Sequence, residues 1–281
     1  MKPVWLNKKI SLKDCAELKA ILKRRGINTV CEEAQCPNIG ECFLKKQATF
    51  LILGDICTRG CGFCGVKKGI PLALDPTEPR RISECVIELG LKHVVITSVT
   101  RDDLSDYGVE AFVKTIKAIR KADNKITIEV LIPDFNADLN SLRLLSESQP
   151  DIIAHNVETI PRLYREARGG AAYERSLEVF KILQGVTSVI PLKSGLMLGL
   201  GESENEVYQV FDDLVKVGCS YLSIGQYLAP SHAHFPVKEY IRPEVFEHYR
   251  EKALAAGFRF VKSAPYVRSS YMAYEYQNSS C

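Results

Sequence analysis

From position 48 onward the chain alternates between short β-rich runs and helical patterns, and this alternation limits the available folds more than any other feature. Strands are predicted at 49–54, 93–99, 126–132, 151–156, 194–200 and 221–225, with a seventh at 258–262. Apolar residues at helical spacing predict helices near 82–90, 109–122, 139–146, 172–183, 204–217 and 244–256. Repeated strand–helix units need crossover connections, so the sheet they form is parallel and the class is α/β. Periodicity leaves open whether the sheet is doubly wound or closes into a complete or partial barrel. In either case the functional residues belong at the carboxyl ends of the strands. Residues 1–47 are polar and mixed, with one helical stretch at 12–23.

Charge and hydropathy narrow the function. Lys and Arg number 37 against 34 Asp and Glu, a net charge of +3, which gives no reason to expect nucleic acid. No apolar run approaches the roughly 20 residues of a membrane span. The opening dozen residues, MKPVWLNKKISL, lack the apolar stretch of a secretory signal, so the expected compartment is a reducing cytoplasm. In that setting ten cysteines are not a disulfide framework. Six of the ten lie between positions 31 and 64, which points to metal or catalysis.

The second cysteine group, Cys57, Cys61 and Cys64, directly follows the first strand of the alternating region. Intervals of four and three also fit an apolar helix face, but Gly60, Gly62 and Gly65 lie in or beside the group. Each Gly costs about 0.8–1 kcal/mol in a helix interior, so a loop that wraps an object and turns thiolates inward is expected instead. A zinc ribbon would present two CxxC pairs, and only one is here. A cubane 4Fe–4S cluster is usually held by four Cys, so three thiolates leave one iron open to a substrate or cofactor. The first group, Cys31, Cys36 and Cys42, has intervals of five and six that match neither helix nor strand period. It suggests a second cluster, again one ligand short. The missing ligand is open among Cys15, Cys85, Cys219, Cys281 and a residue of another type.

The pattern CxxxCxxC after the first strand of a (β/α) domain resembles that of the radical S-adenosylmethionine superfamily. INTVCEEAQCPNIGEC (27–42) followed by GDICTRGCGFC (54–64) resembles the lipoyl synthase family more narrowly. The likeness continues through TSVTRDDL (97–104), HNVETIPRLYREAR (155–168), KSGLMLGLGE (193–202), SIGQYLAP (223–230) and VRSSY (267–271), in family order. Gly60, Gly62, Phe43 and Ala264 depart from residues common in that family, but none removes a ligand.

The resemblance implies a partial (β/α)6 TIM-type barrel with an N-terminal cluster-binding extension at 1–47, the barrel at 48–235, and a C-terminal segment at 236–281 closing its mouth. It implies that Cys57, Cys61 and Cys64 hold a 4Fe–4S cluster whose open iron takes the amino and carboxylate groups of S-adenosylmethionine. An electron from that cluster cleaves the sulfonium C–S bond and releases a 5′-deoxyadenosyl radical. Cys31, Cys36 and Cys42 would hold an auxiliary 4Fe–4S cluster completed by Ser270, with Ser269 the main alternative. An oxygen ligand is harder than thiolate and more easily released, which suits a cluster meant to come apart. Phe63 would lie against the adenine. Thr97 and Ser98 are candidates to accept the ammonium of S-adenosylmethionine, and Asn156 and Glu158 to bind its ribose or methionine moiety. The glycine-rich GLMLGLGES lies beside the adenine in the superfamily. His155, His232 and His234 are read as core or surface residues, and Cys15, Cys85 and Cys219 as packing residues.

The implied reaction inserts two sulfur atoms, at carbons six and eight, into an octanoyl chain on a lysine of a lipoyl carrier. The implied partners are a glycine-cleavage H protein or a 2-oxoacid dehydrogenase acyltransferase subunit as carrier, a ferredoxin or flavodoxin reductant, and an iron–sulfur carrier protein. A biotin synthase-like or methylthiotransferase-like enzyme would share the second cysteine group but lack the 31–42 spacing and RSSY. A non-enzymatic iron–sulfur electron carrier would need four Cys per cluster.

Overall fold

The computed structural model describes residues 3–7, 16–34, 36–45 and 47–278. Cys15 and Cys281 lie outside the described residues, as does the start of the first predicted helix. The chain divides into two compact units. The first comprises Ile10–Arg59 and Gly65–Ile153, the second Met1–Lys9, Gly60–Cys64 and Ala154–Cys281. Among the described residues no helix is long and apolar enough to cross a membrane.

The first unit begins with α1 (Ala16–Arg24), β1 (Asn28–Thr29) and two short helices, α2 (Val30–Glu33) and α3 (Ile39–Leu44). Then come β2 (Thr49–Ile52), β3 (Ile56–Cys57), β4 (Lys67–Lys68), α4 (Glu78–Glu88), β5 (His93–Ser98), α5 (Val109–Ala122), β6 (Thr127–Leu131), α6 (Leu139–Glu147) and β7 (Ile152–Ala154), whose last residue is assigned to the second unit. β2 pairs in parallel with β5, and β5 with β6, each pair linked through a helix as crossover geometry requires. β1 adds antiparallel to the other edge of β2. All four residues of β2 are buried, the continuous pattern of a strand covered on both faces. Helix α4 buries Ile82, Ser83, Cys85 and Val86, so Cys85 is a packing residue on an inward face. Burial pushes its thiol up to about 11.

The second unit continues with α7 (Tyr164–Ala167), α8 (Tyr173–Val186), β8 (Leu192–Leu198), α9 (Glu204–Lys216), β9 (Cys219–Gln226), α10 (Pro243–Ala256), β10 (Phe260–Ser263) and α11 (Glu275–Asn278). β8, β9 and β10 are again parallel neighbours. Helix α9 starts with a reciprocal cap between Ser203 and Glu206. Helix α10 starts with Pro243 at its first position, where the missing N–H costs nothing. Cys219 is buried at the start of β9, and burial raises its thiol pKa.

Strand period and register put Lys193, Tyr221 and Phe260 in one row across β8, β9 and β10. Tyr276, fully buried in the C-terminal segment, seats on that row. The Lys193 ammonium lies 3.7 Å from its ring centroid, Tyr221 5.7 Å and Phe260 4.9 Å. The ring face lies against a cation, and the neighbouring rings meet it tilted or edge-on, all favourable arrangements for a π quadrupole. Further along the same face, Lys262 pairs with Glu275 at 2.8 Å and lies over the Tyr271 ring. Beyond it the strands carry Gly195 and Gly225. A Cβ at Gly225 would collide with the Val267 carbonyl, and one at Gly195 would lie 2.6 Å from Ser269 Oγ. The absence of two side chains therefore leaves a track along which residues 267–269 run. Tyr266 also donates to the Leu6 carbonyl, joining this segment to the N-terminal turn Val4–Leu6.

Replacing Tyr276 by Ala should lower stability by about 3–5 kcal/mol, read as a fall in urea midpoint. Tyr276→Phe should stay within about 1 kcal/mol of the parent, because the bond its hydroxyl donates to the Leu222 carbonyl is long, at 3.4 Å. An unchanged midpoint for the Ala variant would contradict this packing.

Candidate active site

The second cysteine group begins at the end of β3, where Cys57 pairs with Lys68 of β4 and its carbonyl accepts from Gly69 N at 3.0 Å. Two backbone amides point at Cys57 Sγ: Arg59 N at 3.4 Å and Thr100 N at 3.3 Å. Arg59 itself is mostly buried between Asp102 and Asp134. Burial opposes its charge, yet the two carboxylates hold its pKa above the ordinary value. Sequence reading missed this arginine, because nothing in the spacing tells a buried guanidinium from a solvated one. Nearby at the end of β5, Thr97 Oγ1 donates to the Leu131 carbonyl at 2.7 Å, which leaves its lone pairs to accept. Ser98 Oγ is buried and has no hydrogen-bond partner among the described residues. A buried hydroxyl in that state costs free energy unless something else meets it.

Cys61, Phe63 and Cys64 belong to the second unit. Gly62 N donates to the Ala167 carbonyl at 2.8 Å, and the Gly62 carbonyl accepts from Phe235 N at 2.8 Å. The expected loop is present, with no helix from Thr58 to Cys64, and it does not depend on left-handed backbone at the motif's glycines. Neither Gly60 nor Gly62 has a positive φ, and a Cβ at Gly62 would make only ordinary contacts at 3.5 Å and beyond. The left-handed backbone falls before the motif, on Gly54 at φ 90°. Burial raises the Tyr227 hydroxyl to about 12, with the Cys64 thiolate adding to it. Burial opposes charge on Arg168, but Tyr164, Glu158 and Cys61 together raise its pKa.

Asn156 and Glu158 follow β7. Glu158 has φ 67°, a left-handed conformation that costs a non-glycine residue on the order of 1–3 kcal/mol. It is held there by backbone bonds to β8, Glu158 N to the Gly195 carbonyl at 2.9 Å and Met197 N to the Glu158 carbonyl at 2.8 Å. Its carboxylate accepts from Asn156 Nδ2 at 3.0 Å, and Asn156 Oδ1 accepts from Ser269 Oγ at 2.9 Å. Burial raises the Glu158 pKa, with Arg168, Asn156 and Arg268 pulling it back. The Ser269 hydroxyl is thus engaged, whereas the half-buried Ser270 hydroxyl has no hydrogen-bond partner among the described residues. His155 is buried against Phe180, and His234 meets Ser231 at the surface near exposed His232.

The first cysteine group lies wholly in the first unit. Thr29 caps α2 by accepting from Glu32 N at 3.3 Å, which sets Cys31 in the first turn. Cys36 N bonds back to the Cys31 carbonyl at 3.1 Å, and Cys42 N to Asn38 at 2.9 Å in α3. The irregular spacing is therefore that of two short helices and the turn between them. Burial pushes Cys31 up to about 12, and Cys36 and Cys42 push the same way. Three thiols close enough to oppose one another's ionisation fit a polyiron centre that neutralises them. Among the described residues no group of three His, Cys, Asp or Glu is set to hold a single metal ion. The first unit carries Cys31, Cys36, Cys42, Cys57, Thr97 and Ser98. Cys61, Phe63, Cys64, Asn156, Glu158 and Ser270 are carried by the second.

Residues 51–214 match the family model of the Radical SAM superfamily. A lipoyl synthase of Geotalea uraniireducens (strain Rf4) is 56% identical over 275 residues, covering 98% of this chain and 97% of that protein. One of Caldicellulosiruptor saccharolyticus is 53% identical over 275 residues, covering 98% and 96%. Among solved structures, methylornithine synthase aligns with a TM-score of 0.57 at 13% identity, covering 91% of this chain and 79% of that one. The hydrogenase maturase HydG aligns at 0.57 and 15%, covering 90% and 68%. The structural likenesses show the fold, an α/β partial barrel of the TIM type. With sequence identity of this level over nearly the whole chain, the protein belongs to the lipoyl synthase family of the Radical SAM superfamily.

Proposed function

We propose that this protein carries out the reaction named by its family: radical insertion of two sulfur atoms, at carbons six and eight, into an octanoyl chain on a lysine of a carrier protein. The observation that carries this reading is the pair of three-cysteine sets, with a serine in VRSSY, in a chain 56% identical to a lipoyl synthase over 98% of its length. The chemistry demands such equipment. An unactivated C–H bond has no acidic proton and no leaving group, so acid–base catalysis cannot open it. S-adenosylmethionine and a 4Fe–4S cluster supply a 5′-deoxyadenosyl radical that removes the hydrogen, and an auxiliary 4Fe–4S cluster supplies the sulfur.

The protein's own groups hold and orient these parts. Cys57, Cys61 and Cys64 bind the first cluster, supported by their partial exposure, which suits the approach of a co-substrate. Cys31, Cys36 and Cys42 bind the second, supported by their closeness and the burial of Cys31 and Cys42. Ser270 completes it, supported by a hydroxyl without a hydrogen-bond partner among the described residues, where Ser269 is engaged by Asn156. Thr97 and Ser98 accept the ammonium of S-adenosylmethionine, Asn156 and Glu158 bind its ribose or methionine part, and Phe63 lies against the adenine. In this division of labour, 1–47 carries the auxiliary cysteines, 48–235 the radical chemistry and 236–281 the serine ligand.

The octanoylated carrier is a glycine-cleavage H protein or a 2-oxoacid dehydrogenase acyltransferase subunit. A ferredoxin or flavodoxin feeds the electron, an iron–sulfur carrier protein rebuilds the consumed cluster, and the compartment is the cytoplasm.

Cys57→Ala should abolish 5′-deoxyadenosine formation, while Cys36→Ala should retain it and lose sulfur transfer, both followed by chromatography under anaerobic conditions. Thiolated product from Cys36→Ala would overturn the sulfur-donor assignment. Ser270→Ala should slow sulfur insertion while deoxyadenosine still forms. Ser269→Ala should instead raise the KM for S-adenosylmethionine and keep about eight irons per chain. The reverse pattern would move the ligand to Ser269.

A further inference from the structure

Arg59 stands between Cys57 and Cys61, and its side chain is only 10% exposed. Its guanidinium grips two carboxylates at once. Nε and Nη2 donate to Asp102 at 2.8 and 2.7 Å, while Nη1 and Nη2 donate to Asp134 at 2.7 and 2.8 Å. Asp134 is 1% exposed and follows β6, and Asp102 follows β5. A planar fork with five donors can serve two carboxylates in this way, and a lysine ammonium cannot. The preceding residue is tied to the same turn. Thr58 N and Oγ1 both donate to the Thr100 carbonyl, at 3.1 and 3.0 Å, and Asp102 N donates to Thr58 Oγ1 at 3.2 Å. The amides aimed at Cys57 Sγ are those of Arg59 and Thr100, the residues this clamp fixes.

We propose that Arg59 is a positioning residue that, through Asp102 and Asp134, holds two N–H···S hydrogen bonds on Cys57 Sγ and so keeps the reduction potential of the S-adenosylmethionine-binding cluster within reach of its reductant. The inference rests on the reading of Cys57 as a ligand of that cluster. Amide donors on a ligand sulfur stabilise the more negative, reduced state and raise the potential. Loosening them makes one-electron reduction harder without removing any ligand.

Two variants separate this from a charge effect. Arg59→Lys keeps the charge but cannot span both carboxylates. Asp134→Asn removes a negative charge, which alone would raise the potential, whereas loss of the clamp lowers it. The measurement is an anaerobic redox titration of the full-length reconstituted enzyme, following the electron paramagnetic resonance signal that changes when S-adenosylmethionine is added. In both variants the ratio of reduced to oxidised cluster at the parent's midpoint should fall about tenfold, a shift of ~59 mV. In the cluster-free protein, amide hydrogen exchange at Thr100 should quicken in both, which keeps the test decisive if a variant loads iron poorly. Loaded variants with the parent's midpoint, a raised midpoint in Asp134→Asn, or unchanged exchange at Thr100 would overturn the proposal. A signal that survives in Cys57→Ala would instead overturn the ligand reading beneath it.

Discussion

Much of the second unit depends on a missing pair of side chains. The inner face of β8 and β9 carries Gly195 and Gly225 where other strand positions carry bulk, and the Val267 carbonyl and the Ser269 and Asn156 side chains lie in the space their Cβ atoms would fill. Close approach of that kind is available only to glycine. It brings Ser269 onto Asn156, which in turn orients the strained Glu158. Tyr276 then fastens the end of the segment on Lys193, Tyr221 and Phe260. The strand residues and the C-terminal segment therefore form one cooperative packing, and the polar residues at its upper end inherit its rigidity.

The two cysteine groups are set in different surroundings, and the difference suits different work. Cys31 and Cys42 are buried, and burial holds the Cys31 thiol protonated until a positive centre replaces the proton. Cys57, Cys61 and Cys64 are only half-buried. Cys57 already receives two backbone amides. A thiolate supplied with donors by the protein can sit beside a co-substrate that comes and goes.

The order and type of the β/α elements were legible from residue 48 onward because their apolar periods are strong. α5 spans Val109–Ala122, the predicted interval, while β2 and β7 stop two residues short of prediction where the chain turns into the site. The candidate cysteines were legible as a pattern, since the 31–42 intervals fit no packing period and glycines interrupt the 57–64 group, which fits helical spacing. The parts that escaped were those whose meaning depends on a distant partner. Arg59 gains its meaning only with Asp102 and Asp134 beside it, and Lys193 only with the Tyr276 ring against it; neither was assigned a role from the sequence. The glycines of the CxxxCxxC loop drew attention, yet close approaches occur at Gly225 and at Gly195, the latter noted in sequence only as the start of the glycine-rich GLMLGLGES.

The most direct test of the whole account is a single-turnover anaerobic incubation of the reconstituted protein with an octanoyl-lysine peptide, S-adenosylmethionine and a reductant, followed by mass spectrometry. The account predicts a peptide that gains one sulfur and then a second, in step with two successive releases of 5′-deoxyadenosine. Deoxyadenosine released with the peptide mass unchanged would contradict it.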